Sequence, residues 1–335
     1  MSYFYEIYGL GIESDEPLPN LGAPLSSACE TSDVLIRLNP QTPRPTLLTN
    51  LQWEPYPRGQ TDESAYETSI AGTPNGSYFR LRYTYAERYA TYILEGRGRA
   101  IWVESNPRRS DELFTEQVIQ NLLLGRMWGI LLRLRGLLCL HGNVVVARDK
   151  ACAILGASSA GKSTLTTSFI TRGAALLSED KVVLRGDDGT FWAQPGAVRL
   201  RLLPDTLAAF QLDPHALERV SSFEDKRYVP LSEANPDAPV QTTQIPLRAV
   251  YILAPRENAF TAPRLEPLAP VNALLHILRQ RFAAFELPPS QAADEYANLA
   301  RLAQQLPVRM VHRPNDLGAL PDTVNLILRD VEAQL

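Results

Sequence analysis

Residues that build metal centres and disulfide frameworks are scarce in this sequence. Its 335 residues include only three cysteines and four histidines. Cys29, Cys139 and Cys152 form no CxxC pair, which excludes a disulfide framework, and the histidines have no metal-ligand spacing. A long hydrophobic run is also missing, because Arg133 interrupts the most apolar stretch, residues 130–146. That interruption excludes a membrane span.

An excess of charge of one sign is absent as well. The formal net charge is −4, from 33 basic and 37 acidic residues. Such a balance gives no strong attraction to nucleic acid or to an anionic membrane, and neither is predicted as a partner. The first residues have neither the basic nor the apolar region of a signal peptide, so we expect a cytoplasmic protein. The oligomeric state stays open, with a homo-oligomer among the options.

Lysine is rare among the charged residues. Only four of the 33 basic residues are lysines, namely Lys150, Lys162, Lys181 and Lys226. All other basic residues are arginines. A lysine in this sequence is therefore most informative at a site whose chemistry needs a compact point charge with three donors.

The length and the residue pattern predict two domains. Residues 1–105 are typical of a β-rich domain, since short aromatic and β-branched runs alternate with Pro, Gly and Asn clusters. The Asn75-Gly76 pair is typical of a hairpin turn. This segment has no cluster of catalytic residue types, so we expect it to recognise a substrate or to act as a scaffold. The predicted strands are Phe4–Tyr8, Val34–Leu38, Ser77–Tyr85 and Tyr89–Leu94.

The pattern of residues 106–335 predicts an α/β domain. A helix capped by Ser110 or Asp111 is predicted to end at Gly136, and strands and helices alternate after it, as in an α/β core. The predicted strands are Leu138–Ala147, Ala151–Leu155, Ala174–Ser178, Lys181–Leu184, Ala249–Ala254 and Val308–His312. The predicted helices are Lys162–Arg172, Val271–Phe285, Gln291–Gln305 and Asp316–Gln334.

A glycine-rich motif stands between the strand Ala151–Leu155 and the next helix. Gly156, Gly161, Lys162 and Ser163 match G-x-x-x-x-G-K-[ST] at every fixed position, whereas a Gly/Ser linker would match only by chance. Small residues let backbone N–H groups turn toward a phosphate, and Lys and Ser suit the terminal phosphates and Mg²⁺. The predicted ATP-binding residues are Gly156, Ala157, Ser158, Ser159, Ala160, Gly161, Lys162, Ser163 and Thr164.

Two adjacent acids, Glu179 and Asp180, follow the next short strand. Carboxylates at the end of a neighbouring parallel strand lie at the phosphate-binding edge of an open α/β sheet, so we expect them beside the glycine-rich motif. A solvated acidic turn is the alternative. His141 lies on the strand before the motif, where a lone histidine is more often a structural residue than a catalyst.

These features together resemble the kinase domain of HPr kinase/phosphorylase. The resemblance is carried by Leu140-His141-Gly142, the glycine-rich motif, Thr171-Arg172-Gly173 and the stretch Leu177 to Val182, and it covers residues 138–205 well. The sequence is more similar still to divergent HPr kinase-related kinases, including those that phosphorylate lasso-peptide precursors. The resemblance implies a P-loop kinase core of the HPr kinase/phosphoenolpyruvate carboxykinase type with an N-terminal β-rich domain.

The resemblance also implies roles for single residues. Asp180 matches the acid that takes the proton of the acceptor serine, and His141 matches the histidine that supports this acid. The implied Mg²⁺ ligands are Ser163, Glu179 and Asp205. Lys226 and Arg227 suit the negative charge that develops on the transferred group, with an exposed loop as the alternative.

The prediction is therefore an ATP- and Mg²⁺-dependent kinase that phosphorylates a serine hydroxyl of a peptide or small protein, such as a lasso-peptide precursor. A small-molecule kinase on the same core and an HPr-type regulatory serine kinase are the alternatives. A regulator without transfer activity is disfavoured by Lys162, Ser163 and Asp180. A motor or transport ATPase is disfavoured because the acidic pair follows the motif too soon.

Overall fold

The computed structural model describes residues 1–26, 32–39, 41–42, 46–56, 67–106, 115–220, 225–283 and 285–333. By their contacts they form two units, Met1–Leu137 with Phe282–Glu295, and Leu138–Arg281 with Tyr296–Leu335. The first unit thus extends beyond the boundary predicted at residue 105, because helical residues after that point bond to its strands. The Tyr92 hydroxyl, for example, donates to the Ile119 carbonyl at 2.7 Å.

The first unit is built on an eight-stranded sheet. Its strands are β1 Tyr3–Ile7, β2 Leu10–Ser14, β3 Val34–Arg37, β4 Glu54–Pro55, β5 Glu67–Gly72, β6 Tyr78–Tyr85, β7 Arg88–Glu95 and β8 Ala100–Ser105. Their order is β1-β2-β3-β8-β7-β6-β5-β4, with parallel pairs at β2–β3 and β3–β8. Alternate residues of β6, such as Phe79 and Leu81, are buried. The hairpin predicted at Asn75-Gly76 is confirmed, since it joins β5 to β6.

A broken helix follows the sheet. It comprises α1 Glu116–Leu122 and α2 Trp128–Leu134, with a wider π-helical turn between them. The Thr115 hydroxyl caps α1 by accepting from the Val118 N–H at 3.3 Å. The predicted caps Ser110 and Asp111 lie outside the described residues, as does Cys29.

The second unit also contains an eight-stranded sheet. Its strands are β9 Leu138–Ala147, β10 Lys150–Leu155, β11 Ala175–Ser178, β12 Lys181–Asp187, β13 Thr190–Ala193, β16 Ile245–Leu253, β17 Arg264–Pro267 and β18 Val308–His312, and a separate pair is formed by β14 Leu200–Leu202 and β15 Arg227–Val229. The order is β10-β9-β12-β13-β16-β18-β17, β11 lies beside β9, and β10 also pairs with β16 in parallel. The chain is therefore of mixed α/β class with large sheets.

Helices cover both faces of this sheet. The helices of this unit are α3 Lys162–Ile170, α4 Pro204–Ala209, α5 Leu231–Ala234, α6 Pro270–Leu278, α7 Pro289–Gln305 and α8 Leu320–Ala333. The first residues of α7 belong to the first unit. Alternation along β10 divides the core, because Ala153 packs in the cluster with α6 and α7 whereas Ile154 packs in the cluster with α3 and α8. The cysteines on these strands, Cys139 and Cys152, are free and buried.

Two predicted helix boundaries are wrong. The helix predicted to reach Phe285 ends at Leu278, because the chain turns to lie against β9, where the Gln280 carbonyl accepts from the His141 N–H at 2.6 Å. The last helix begins at Leu320 instead of Asp316, whose side chain caps a short 3₁₀ turn. Within the described residues, no helix combines the length and apolar character that a membrane crossing requires.

Candidate active site

The glycine-rich loop connects β10 to α3. Gly161 precedes the first residue of α3 with a φ of 92°, a conformation that residues with a Cβ rarely adopt. The ammonium group of Lys162 turns back over the loop and donates to the carbonyls of Gly156 at 2.8 Å and Ala157 at 2.9 Å. Burial lowers the pKa of Lys162 to about 8, against the opposing effect of the carboxylates of Asp180 and Glu179.

A buried arginine fixes the other side of the loop. Arg313, just after β18, donates to the carbonyl of Ala160 within the loop and to that of Ala254 at 3.3 Å. Burial and the charge of Arg256 lower the pKa of Arg313 to about 10. These bonds tie the loop to the ends of β16 and β18, which limits its freedom to change shape.

The acidic pair lies in a break between two strands. β11 and β12 follow one another along the same side of β9, and both are antiparallel to it. Glu179 and Asp180 occupy the gap, and Asp180 has a φ of 71°. The Asp180 N–H donates to the Asn143 side chain at 2.9 Å and the Glu179 N–H to the Ala197 carbonyl at 2.9 Å.

This placement corrects one part of the sequence argument. The acids were expected at the end of a parallel strand next to β10, but β9 lies between β10 and β11 and is antiparallel to both. The acids still lie near the loop. The gap between β11 and β12 lies beside β9, where the Gly142 N–H donates to the Asp180 carbonyl at 3.2 Å. The expected proximity to the glycine-rich motif is present, by a different topology.

Glu179 links the acidic pair to the loop helix. The Ser163 hydroxyl donates to one oxygen of Glu179 at 3.0 Å, and Arg201 Nε donates to the other at 2.9 Å. Burial raises the pKa of Glu179, and the Asp180 charge adds to this effect while Arg201 opposes it. Glu179 and Ser163 thus present oxygen atoms side by side at the base of the cleft.

Asp180 is surrounded by nitrogen atoms. Its Oδ1 lies 2.6 Å from Arg201 Nη2 and 3.5 Å from His141 Nδ1, and its Oδ2 lies 3.1 Å from Lys181 Nζ. Burial by itself would raise the pKa of Asp180, but Arg201, Lys181 and His141 together hold it well below its usual range. The carboxylate is therefore ionised at neutral pH.

His141 lies on β9 and contacts Asp180. Burial lowers the pKa of His141 to about 4, although the Asp180 carboxylate acts in the opposite direction. The imidazole is consequently neutral at pH 7 and can orient the carboxylate without adding a full charge.

These groups line one cleft of ≈ 230 Å³. Of the predicted site residues, those on the cleft wall are His141, Ser158, Ser159, Gly161, Lys162, Ser163, Thr164, Glu179, Asp180, Asp205 and Lys226. Gly156, Ala157 and Ala160 take part through backbone carbonyls that accept from Lys162 and Arg313. The structure therefore brings the glycine-rich motif, the acidic pair and His141 together.

Arg227 is the predicted residue that the structure does not bring to the cleft. Its guanidinium donates to the carbonyls of Pro214 at 3.2 Å and Asp225 at 2.9 Å. Lys226 and Arg227 are consecutive residues of an extended segment, so their side chains point to opposite sides. Of the two, only Lys226 lines the cleft. The expectation that Arg227 joins it there is therefore wrong.

Sequence reasoning missed Arg201 and Asn143. Arg201 bonds to both acids, and Asn143 holds the Asp180 backbone while donating from its amide to Thr166 at 2.9 Å. Asn143 stands two residues after His141 on a buried strand, where a polar residue is a usable signal. Arg201 has no such signal, because arginine is abundant throughout the sequence.

The oxygen ligands present suit Mg²⁺ held jointly with a nucleotide. The described part of the chain contains no cluster of three or more His, Cys, Asp or Glu side chains that could hold a metal ion. Mg²⁺ is commonly bound by one or two carboxylates together with substrate phosphates and water, and this needs no larger cluster. Glu179 and Ser163, hydrogen-bonded at the loop helix, are a ligand pair of that kind.

Comparison of this chain with known proteins finds matches among solved structures but none among family models or curated sequences. Among solved structures it is similar to the HPr(Ser) kinase/phosphatase from Coxiella burnetii, with a TM-score of 0.34, 13% sequence identity, and coverage of 59% of this chain and 99% of that chain. At this identity and TM-score the likeness assigns no function to the chain.

Proposed function

We propose that the protein is an ATP- and Mg²⁺-dependent kinase that transfers the γ-phosphoryl group to a serine hydroxyl of a peptide or small protein. The proposal includes the P-loop kinase core of HPr kinase type that the sequence resemblance implies. The observation that carries it is the single cleft in which Lys162 and Ser163 of the glycine-rich loop face Glu179 and Asp180. Phosphoryl transfer depends on positioning the phosphates and on a carboxylate that orients and deprotonates the hydroxyl, and this cleft holds residues suited to both.

Nucleotide binding is assigned to the loop and the start of α3. The backbone N–H groups of the loop and the partial positive charge of the helix N-terminus favour an anion there. The Lys162 ammonium exchanges the carbonyls of Gly156 and Ala157 for phosphate oxygens, which are better acceptors because they are charged.

Ser163 and Glu179 would hold Mg²⁺, which neutralises phosphate charge when bound. Asp205 lines the same cleft at the first turn of α4 and is a further oxygen ligand in this proposal. The roles of these residues are distinct from that of Asp180, whose oxygens face the arginine, lysine and histidine side chains.

Asp180 would accept the proton of the attacking hydroxyl. The serine oxygen forms the new bond to phosphorus, the bond between the γ-phosphorus and the β,γ-bridging oxygen breaks with its electron pair passing to ADP, and the proton moves to Asp180. Asn143 fixes the backbone of Asp180 and His141 contacts its carboxylate, so the base is oriented before the acceptor arrives.

A peptide acceptor is favoured by the first unit. It supplies an eight-stranded sheet that contains none of the proposed catalytic residues, and a small metabolite would need no such recognition surface. A sheet edge can bind an extended peptide through main-chain hydrogen bonds, which leaves a serine free to enter a cleft. A lasso-peptide precursor is the acceptor that the sequence resemblance implies.

The test is a competition for a single pool of γ-labelled ATP. Serine-containing peptides, including products of neighbouring small genes, share the reaction with free serine, sugars and other small alcohols. We expect label in a peptide, transfer slowed by about 10²–10⁴ with Asp180→Asn, and wild-type transfer with the control Asp225→Asn, since Asp225 is exposed and pairs with Arg219. Faster transfer to a small alcohol than to every peptide would instead establish a small-molecule kinase.

A further inference from the structure

Arg201 contacts both carboxylates of the acidic pair at once. Its Nε donates to Glu179 at 2.9 Å and its Nη2 lies 2.6 Å from Asp180. The two acids in turn raise the pKa of Arg201 above its ordinary value, although burial acts against this. Arg201 is therefore a permanent cation between the proposed metal ligand and the proposed base.

A substrate hydroxyl that approaches Oδ1 of Asp180 meets Arg201 and His141, which already contact this oxygen. Oδ2 is held by Lys181, whose side chain is only 6% exposed, whereas the Arg201 side chain on Oδ1 is 28% exposed. Arg201 is thus freer to move than Lys181, and unlike the imidazole of His141, which is 34% exposed, its guanidinium carries a permanent positive charge. It also lines the same cleft as Lys162 and Ser163, where the proposal places the phosphates.

We propose that Arg201 is a catalytic residue that leaves Asp180 during transfer and binds the oxygens of the phosphoryl group in the transition state. This inference rests on the proposed kinase function. When Asp180 takes the proton of the hydroxyl it becomes neutral and loses its attraction for Arg201. At the same moment the planar guanidinium can form two parallel hydrogen bonds to the phosphoryl oxygens.

The exchange couples two events that a kinase must keep together. With Arg201 on Asp180, Oδ1 of the base is paired with a cation and is less accessible to water or to a misplaced hydroxyl. With Arg201 on the phosphoryl group, Oδ1 of Asp180 is released from the arginine while Lys181 still holds Oδ2, and the developing charge is stabilised. Such cationic stabilisation of the transferred group is worth about 10³–10⁵ in kcat where an arginine supplies it.

Arg199 provides a matched control. It lies two residues before Arg201, next to β14, and is also a partly exposed arginine. It pairs with Glu218 at 2.7 Å and lies over the Tyr228 ring at 3.8 Å, and it is not among the described residues that line the cleft. Replacing it removes the same charge without touching the acidic pair.

The experiment compares nucleotide binding with and without a mimic of the transferred group. ADP and ADP with aluminium fluoride, which occupies the phosphoryl position, are titrated in Mg²⁺ into wild type, Arg201→Met, Arg201→Lys and Arg199→Met by calorimetry. Wild type should bind ADP with aluminium fluoride more tightly than ADP alone, and this difference is the extra affinity. We expect Arg201→Met to reduce the extra affinity by about 10²–10³-fold, while its affinity for ADP alone changes only a few-fold. Arg201→Lys keeps the charge for folding yet recovers less than a tenth of the loss, and Arg199→Met matches wild type.

Two results overturn the inference alone. In one, Arg201→Met keeps the extra affinity for the fluoride complex. In the other, it weakens ADP and the fluoride complex equally, which would show that the arginine only holds the two acids in place. A wild-type protein that binds no nucleotide at all overturns the proposed function, and this inference with it.

Discussion

Replacing Asp180 by Asn tests the chemical step with little change in shape. Asn tolerates the left-handed conformation that Asp180 adopts at a φ of 71°, so the backbone is not strained by the change. The Asp180 N–H bond to Asn143 also survives, because it belongs to the backbone. What is lost is the negative charge between Arg201, Lys181 and His141.

We expect kcat to fall by about 10²–10⁴, the range for a lost general base. This corresponds to about 2.7–5.5 kcal/mol in activation free energy. The nucleotide affinity should stay within a few-fold, because the loop contacts of Lys162 are unchanged. Folding should be weakened by about 1–3 kcal/mol, since the buried Lys181 loses its anion.

The assay combines initial rates with γ-labelled ATP, calorimetric titration of ADP, and the midpoint of denaturant unfolding. Asp225→Asn, on an exposed aspartate, is the control for a changed charge of the same kind. The role of Asp180 as the base is refuted if Asp180→Asn keeps kcat within tenfold of wild type. It is equally refuted if Asp180→Asn loses nucleotide binding while Glu179→Gln loses only turnover, because the two acids would then have exchanged roles.

Three further predictions concern other parts of the structure. Lys162→Arg should abolish steady-state transfer, because a planar fork cannot replace a point charge folded over the loop; turnover near the wild-type rate would remove the loop from the mechanism. His141 should stay neutral from pH 5.5 to 8, since burial lowers its pKa to about 4, and its ring NMR signals should not move in that range. In the first unit, Glu295→Ala should lower the free energy of unfolding by about 3–5 kcal/mol. It removes the carboxylate that bonds the buried Arg133 at 2.6 and 2.9 Å, and an unchanged denaturation midpoint would contradict this.

Much of the local structure could be predicted from the sequence because its signals are contiguous. The strand Val308–His312 was predicted to the residue, and the hairpin at Asn75-Gly76 follows from local turn chemistry. The helix predicted to reach Phe285 was too long, because apolar spacing cannot show that the chain leaves the helix to bond with β9. Competition between helix and tertiary hydrogen bonds is not visible in a local pattern.

The candidate site divides in the same way. Lys162 and Ser163 were predictable because the glycine-rich motif fixes them within eight consecutive residues. Arg201 was not, since it is one of 29 arginines (33 basic residues less four lysines) and stands far along the chain from the acids it contacts. A contact of this type depends on which strands pair, and the type of a single residue does not indicate that pairing.

The amino-acid sequence is sufficient to predict the parts whose chemistry is local: the strand, loop and helix around Lys162, and the adjacent acids Glu179 and Asp180. How these parts meet depends on the fold. The pairing of β11 and β12 with β9 opens the gap in which the acids lie, and it brings Asn143 to the backbone of Asp180. The physical reason is that backbone pairing between distant strands is set by burial of the whole core. Of the residues that tune Asp180, Lys181 is its neighbour in the chain, whereas Arg201 and His141 reach it only through the tertiary fold.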